Sequence, residues 1–165
     1  MADFGLSMRL SDLNKNSISQ AGTSRYMSPE LLDRYADIKD VQSFISIDIY
    51  ALSLVLWEVL NRTAIDSSFK PGKNSNFMKF SKIFTGHSEY KPPYAHLVND
   101  QPTKEMMRSI VMRYRPEIRE PLHRHPATKE IIQIITEGWD KDPESRLPAS
   151  IMVARLKKII QKQGY

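Results

Sequence analysis

Between residues 42 and 61 apolar side chains fall on nearly every side of a 3.6-residue period: Ile45, Ile47, Ile49, Leu52, Leu54, Val55, Leu56, Trp57, Val59 and Leu60. Such a segment predicts a helix enclosed by protein on all sides. Its densest run, IYALSLVLW at 49–57, is closed by Asp48 and Glu58 and is too short to span a bilayer. Three later segments are one-sided. Thr103 is placed to cap a helix carrying Met106, Met107, Ile110 and Val111. A second helix runs from about 127 to 139, with Ile131, Ile132, Ile135 and Trp139 in register, and a third from about 148 to 163, with Met152, Leu156, Ile159 and Ile160.

The intervening stretches are polar and punctuated. SDLNKNSISQAGTS at 11–24 reads as an exposed loop. Ser28-Pro29-Glu30 has the form of a helix start: a hydroxyl at the cap, proline in the first turn, an acid near the positive end of the dipole. Segment 62–102, with Pro71, Gly72, Gly86, Pro92, Pro93 and Pro102, predicts a long loop or insertion. No run of strands emerges. The pattern predicts a mainly α domain, with one buried helix at 42–61 inside a ring of amphipathic helices at 103–163.

At 165 residues the chain is long enough for one domain with a real core. It has no cysteine, which excludes disulfides, thiolate metal sites and cysteine nucleophiles. The formal charge of +5 is spread along the chain. Its densest clusters, Lys157-Lys158 and Arg113 to Arg115, hold two cations each with Tyr114 their one interleaved aromatic, so they read as solvated surface and give no reason to expect a nucleic-acid partner. Asp3 and Arg9 interrupt the N-terminus before any apolar region of a signal peptide can form. His87, His96, His123 and His125 lack a metal-binding pattern and read as surface or loop residues, and the Asn61-Arg62-Thr63 sequon carries no meaning on a cytosolic domain.

The chemistry-bearing stretches come in a fixed order. Asp3-Phe4-Gly5 opens a loop that Gly22-Thr23-Ser24-Arg25-Tyr26-Met27-Ser28-Pro29-Glu30 closes. Asp48-Ile49-Tyr50-Ala51-Leu52-Ser53 and Trp57-Glu58 follow, then Trp139-Asp140-Lys141-Asp142-Pro143-Glu144-Ser145-Arg146-Leu147. A D-F-G tripeptide alone is weak, but the ordered set resembles the C-terminal lobe of a protein kinase, with an activation segment at 1–30 bracketed by D-F-G and S-P-E. ADFGLSMRL, GTSRYMSPELLD, DIYALSLVLWEVL and the W-D-x-D-x-E-x-R-L tail narrow the resemblance to the type II receptors of the TGF-β superfamily, nearest in pattern to the bone morphogenetic protein group. Departures are Ser28 where Ala is commoner, Ser53 where Gly is usual, and the composition of residues 62–88.

The resemblance implies roles residue by residue. Asp3 would ligate Mg²⁺ (or Mn²⁺) on the phosphates of ATP, Phe4 would set active against inactive geometry, and Gly5 would let the backbone turn. Thr23 would help position the catalytic aspartate against the peptide acceptor. Ser17, Ser19 and Ser24 are candidate phosphorylation sites. Glu30 and Arg146 would form a buried structural ion pair, and Asp48, which in the family anchors the catalytic loop by accepting its amides, would here be a buried carboxylate without that partner. A Gly-rich loop, a V-A-I-K lysine and H-R-D-x-x-x-x-N do not occur in the sequence. The expectation is therefore an incomplete kinase domain, in which helix 42–61 lacks part of its usual packing and leaves a large apolar patch facing water. Its parent would be a single-pass membrane receptor with this region in the cytosol, binding a growth-factor ligand through an ectodomain and phosphorylating a type I receptor. The alternative is a truncated, non-catalytic lobe that acts by binding.

Overall fold

The computed structural model describes residues 22–37, 40–63, 90–124 and 126–162. Asp3, Phe4, Gly5, Ser17, Ser19 and residues 64–89 lie outside them. The described residues form six α-helices and no strand: α1 (Pro29–Leu32), α2 (Val41–Arg62), α3 (Lys104–Val111), α4 (Glu120–Arg124), α5 (Pro126–Gly138) and α6 (Ala149–Lys162). Two 3₁₀ turns, Ser24–Tyr26 and Pro143–Ser145, complete the regular structure.

Local chemistry fixes the ends of the helices. Asp40 caps α2, its carboxylate accepting from the amides of Gln42 at 3.1 Å and Ser43 at 3.0 Å. Thr103 caps α3 by accepting from the Met106 amide at 3.2 Å. The C-terminal end of α2 is closed by a cation, as the helix dipole favours. Arg119 donates to the Thr63 carbonyl at 2.6 Å and to Asn61 Oδ1 at 3.1 Å. Sequence pattern did not reveal α4, whose five residues are too few to show a period.

Helix α2 is the axis of the lobe. Tyr50, Leu54, Trp57 and Leu60 meet Met107 and Val111 of α3, Leu122 of α4, and Ile132 and Ile135 of α5, with Trp139 just beyond it, in the main core. Ile134 points the other way, joining Ile49, Leu147, Met152 and Ile159 in a second cluster beneath α6. The Trp57 indole N–H is satisfied by the Glu117 carbonyl at 3.0 Å.

Within this chain the helix is not enclosed on every side. Its inward face is Ser46, Ile49, Tyr50, Ser53, Leu54, Trp57 and Leu60. Val41, Ile45, Leu52, Val55 and Val59 form an exposed stripe on the other side, with Asp48 between Ile45 and Leu52. The described elements that pack on α2, chiefly α5 with the two 3₁₀ turns and the core side chains of α3 and α4, leave that stripe uncovered. By length and composition the helix could cross a membrane, but its inward face is tied into the protein by polar bonds, including that from Trp57.

Small residues set the closest crossing. A Cβ on Gly138 would sit 2.1 Å from Ser53 Oγ and 3.1 Å from Met152 Cε. Ser53 is fully buried and satisfied by donating back to the Ile49 carbonyl at 2.8 Å. Gly138→Ala is expected to cost about 1–3 kcal/mol of stability by overpacking this crossing. Adding Ser53→Gly should recover part of the loss. Urea denaturation of both variants tests this, and an unchanged midpoint for Gly138→Ala would contradict the close approach.

Candidate functional site

The segment that closes the candidate activation loop begins at Gly22, whose φ of 98° is a conformation L side chains rarely adopt. Thr23 follows, exposed, and its hydroxyl makes no capping bond to the 3₁₀ turn it precedes. Ser24 is half-buried and donates to the Pro102 carbonyl at 2.7 Å. As a phosphorylation site it would exchange that donor for a charged acceptor facing a carbonyl.

Arg25 is the unexpected member of this segment. It is only 4% exposed. Its guanidinium donates to the Pro93 carbonyl at 2.7 Å and to the Asn99 carbonyl at 2.5 Å, reaching 68 and 74 residues along the chain. Residues 92–98 form a turn whose own amides bond back to Pro92 and Tyr94. Tyr94 holds this turn with φ at 63°, a left-handed conformation that a bulky residue adopts only under tertiary constraint. Its hydroxyl, fully buried, shares a hydrogen bond of 2.9 Å with that of Tyr50. Burial pushes both phenols well above their ordinary pKa.

Two guanidiniums lie against the Tyr50 ring: Arg146 at 5.1 Å and Arg115 at 5.4 Å from its centroid. Arg115 was expected on the surface as part of a basic cluster. It instead turns inward, donating to the carbonyls of Trp139 at 2.7 Å and Val111 at 2.5 Å. Neighbouring Arg113 is exposed, as that reading required.

Arg146 also meets Glu30. Its two terminal nitrogens donate to the two carboxylate oxygens at 2.6 and 2.7 Å, with each side chain 1% exposed. Further bonds to the carbonyls of Ser46 at 2.8 Å and Asp140 at 2.9 Å satisfy the guanidinium. Ser28 occupies the N-cap position of α1, but its hydroxyl makes no capping bond and has no hydrogen-bond partner among the described residues. The expected capping role therefore fails. The helix start rests on Pro29 and on the Ser28 carbonyl, which accepts from Leu31 and Leu32.

Asp48 differs from its expected buried position. It is exposed in the α2 stripe and accepts no hydrogen bond among the described residues. Partial removal of water raises its pKa above the ordinary aspartate value of 3.8. Nearby, Tyr26 donates to the Glu58 carboxylate, and burial followed by that bond holds the phenol far above its usual range. His96 and His123 are exposed, as read from the sequence. Among the described residues no group of His, Asp or Glu could hold a metal, and Asp3, the expected ligand, lies outside them. A cavity of about 240 Å³ between α5 and α6 is lined by Glu130, Gln133, Arg155, Lys158 and Lys162. Two of its cations already pair with α5 carboxylates, Arg155 with Glu137 at 2.7 Å and Lys162 with Glu130 at 2.5 Å.

Sequence reasoning thus named the Glu30–Arg146 pair, which the structure joins, and missed Arg25, Tyr94 and Arg115. Tyr94 stood after a Pro-Pro pair in an otherwise polar stretch, a sign of a constrained turn. Nothing in the local sequence of Arg25 or Arg115 signals inward orientation.

Comparison with known proteins gives a consistent picture. Residues 1–156 match the family model described as "Protein kinase domain". The chain is 33% identical over 165 residues to TGF-beta receptor type-2 of Mus musculus, covering 96% of this chain and 26% of that protein. It is 33% identical over 161 residues to TGF-beta receptor type-2 of Gallus gallus, covering 94% and 26% respectively. It is 31% identical over 164 residues to activin receptor type-2B of Xenopus laevis, covering 96% and 28%. The chain spans about a quarter of the length of these curated relatives.

Two outcomes follow from the geometry. Arg146→Met should cost about 3–5 kcal/mol, because it strands the Glu30 carboxylate in a dry site. Glu30→Leu combined with Arg146→Met should cost less than the two single changes together. A double-mutant cycle by chemical denaturation measures this, and additive losses would show the pair to be uncoupled. For Asp48 the folded pKa is raised, so the folded state holds its proton more tightly than the unfolded one. That contribution to stability is present below the ordinary value of 3.8 and is lost as pH rises through the folded value. Asp48→Asn should remove this loss, leaving a flatter stability profile above pH 3.8. Parallel profiles for the two proteins would contradict the shift.

Proposed function

Because this chain belongs to the protein kinase domain family and is similar to type II receptors along nearly its whole length, we propose that it is the C-terminal lobe of a receptor serine/threonine kinase of the TGF-β/activin type II class. The supporting observation is the match to the kinase domain over residues 1–156. The complete protein would be a membrane receptor that takes a growth-factor ligand outside the cell. Inside, it would transfer the γ-phosphoryl of ATP to a Ser or Thr hydroxyl of a type I receptor.

In this reading Asp3 holds Mg²⁺, whose chemistry is to neutralise charge on the phosphates as the phosphoryl group leaves. A single carboxylate ahead of Phe4-Gly5 suits a hard cation that keeps phosphate oxygens and water as its other ligands. Thr23, with an exposed hydroxyl that caps nothing, is free to orient the catalytic aspartate of a complete domain. Ser17 and Ser19 are the proposed phosphorylation sites of the activation loop. Glu30 and Arg146 keep the acceptor-facing segment in place and take no part in the chemistry.

The exposed stripe of Val41, Ile45, Leu52, Val55 and Val59 favours a second reading, a non-catalytic lobe that acts by binding another protein through that surface. The two readings separate on activity. The purified 165-residue chain should not transfer phosphate from ATP, because it carries none of the lysine, H-R-D or Gly-rich motifs. The full receptor should phosphorylate type I receptor in vitro, and Asp3→Ala should reduce that to background. Inactivity of the full receptor, or full activity of Asp3→Ala, would refute the catalytic reading.

A further inference from the structure

Residues 92–99 are held to the 23–27 segment by more than chance contact. Arg25 supplies two bonds to carbonyls of that turn, at Pro93 and Asn99. Ser24 supplies a third, to Pro102 just beyond it. From beneath, Tyr94 is pinned by its hydroxyl to Tyr50. The left-handed backbone of Tyr94 shows that these ties set the shape of the turn, because an isolated tyrosine would leave that conformation.

A guanidinium in so dry a place needs a reason. It has no carboxylate partner in the bonds it makes; its donors go to main-chain carbonyls. Bonds to carbonyls carry no side-chain specificity, but they fix backbone position, and a planar fork can span two carbonyls where an ammonium cannot. The arrangement therefore acts on the path of residues 92–99. The residues that tie that path, Ser24 and Arg25, directly follow the exposed Thr23, and the path carries His96 and Leu97, both exposed.

We propose that Arg25 is a positioning residue that makes residues 92–99 one wall of the acceptor-peptide site, so that the 23–27 segment and this turn bind peptide as a single rigid surface. The proposal rests on the kinase reading above. It assigns Arg25 to peptide binding and not to the phosphoryl-transfer step, and it gives Tyr94 and Tyr50 a supporting role in the same device.

Two measurements test it. The first is amide hydrogen exchange on the 165-residue chain. Leu97 and Val98 amides bond to the Tyr94 carbonyl at 2.8 and 3.1 Å and report directly on the turn. Their exchange should accelerate in Arg25→Lys by about tenfold or more, while amides in α5 exchange as before. Unchanged exchange at Leu97 and Val98 would overturn the proposal. If Arg25→Lys does not fold, Tyr94→Phe, which removes only the hydroxyl tie, takes its place with the same expected result.

The second measurement is steady-state kinetics of the full receptor with a synthetic peptide carrying one serine. Arg25→Lys should raise the peptide KM by about tenfold, with kcat and the KM for ATP within about twofold of the unaltered receptor. A fall in kcat at constant peptide KM would overturn the positioning role. No phosphoryl transfer by the unaltered receptor would sink the kinase reading itself. Transfer with peptide KM unmoved in the variant would sink this proposal alone.

Discussion

The lobe depends on one buried ion pair. Glu30 and Arg146 lie 116 residues apart and meet face to face where neither is solvated. Neither charge could remain there alone, so every element that delivers one of them must arrive together. Glu30 comes from the short helix α1, which by its length could not persist in isolation. Arg146 comes from the turn between α5 and α6, and its remaining donors reach the carbonyls of Ser46 in α2 and Asp140. The pair thus fastens the 23–30 segment to the axial helix and to the C-terminal helices at one point.

A second contact layer grows out of the first. The Arg146 guanidinium lies against the Tyr50 ring, and the Tyr50 hydroxyl meets Tyr94. Tyr94 in turn shapes the residues that Arg25 holds. The chain of contacts runs from the ion pair through α2 to the turn at 92–98 and back to the 23–27 segment. Such a closed circuit holds a short, irregular segment still without regular secondary structure. The Ser28 hydroxyl, without a hydrogen-bond partner among the described residues, sits within the same region and shows that packing there is governed by the pair and by Pro29 rather than by the cap.

The axial helix has a different character on its two sides. Towards α5 it carries small residues and buried aromatics, close enough that Gly138 cannot be enlarged freely against Ser53. On the other side it carries five large apolar residues and one carboxylate exposed to water. The relatives are about four times as long as this chain, by the 26% that the match covers. An apolar stripe of this kind is more than the single exposed apolar residues that an ordinary surface carries.

Much of this was legible in the residues themselves. Helical class followed from the apolar periods of α2, α3, α5 and α6, because periodicity records which face meets a core. The family followed from ordered motifs, whose spacing is a property of sequence, and the Glu30–Arg146 pairing from what that resemblance implies. What sequence could not decide was direction. The same apolar pattern along α2 serves a helix enclosed on all sides or on one, and only the placement of its neighbours exposed Val55 and Val59. Arg115 read as an ordinary surface cation and Arg25 as one more motif position, since no local pattern tells an arginine that will find carbonyls from one that will find water. The burial of Arg25 and the inward turn of Arg115 rest in part on carbonyls 74 and 24 positions away. Those are set only when the chain has folded, because a hydrogen bond to main chain is specified by geometry and not by the identity of the residue that offers it.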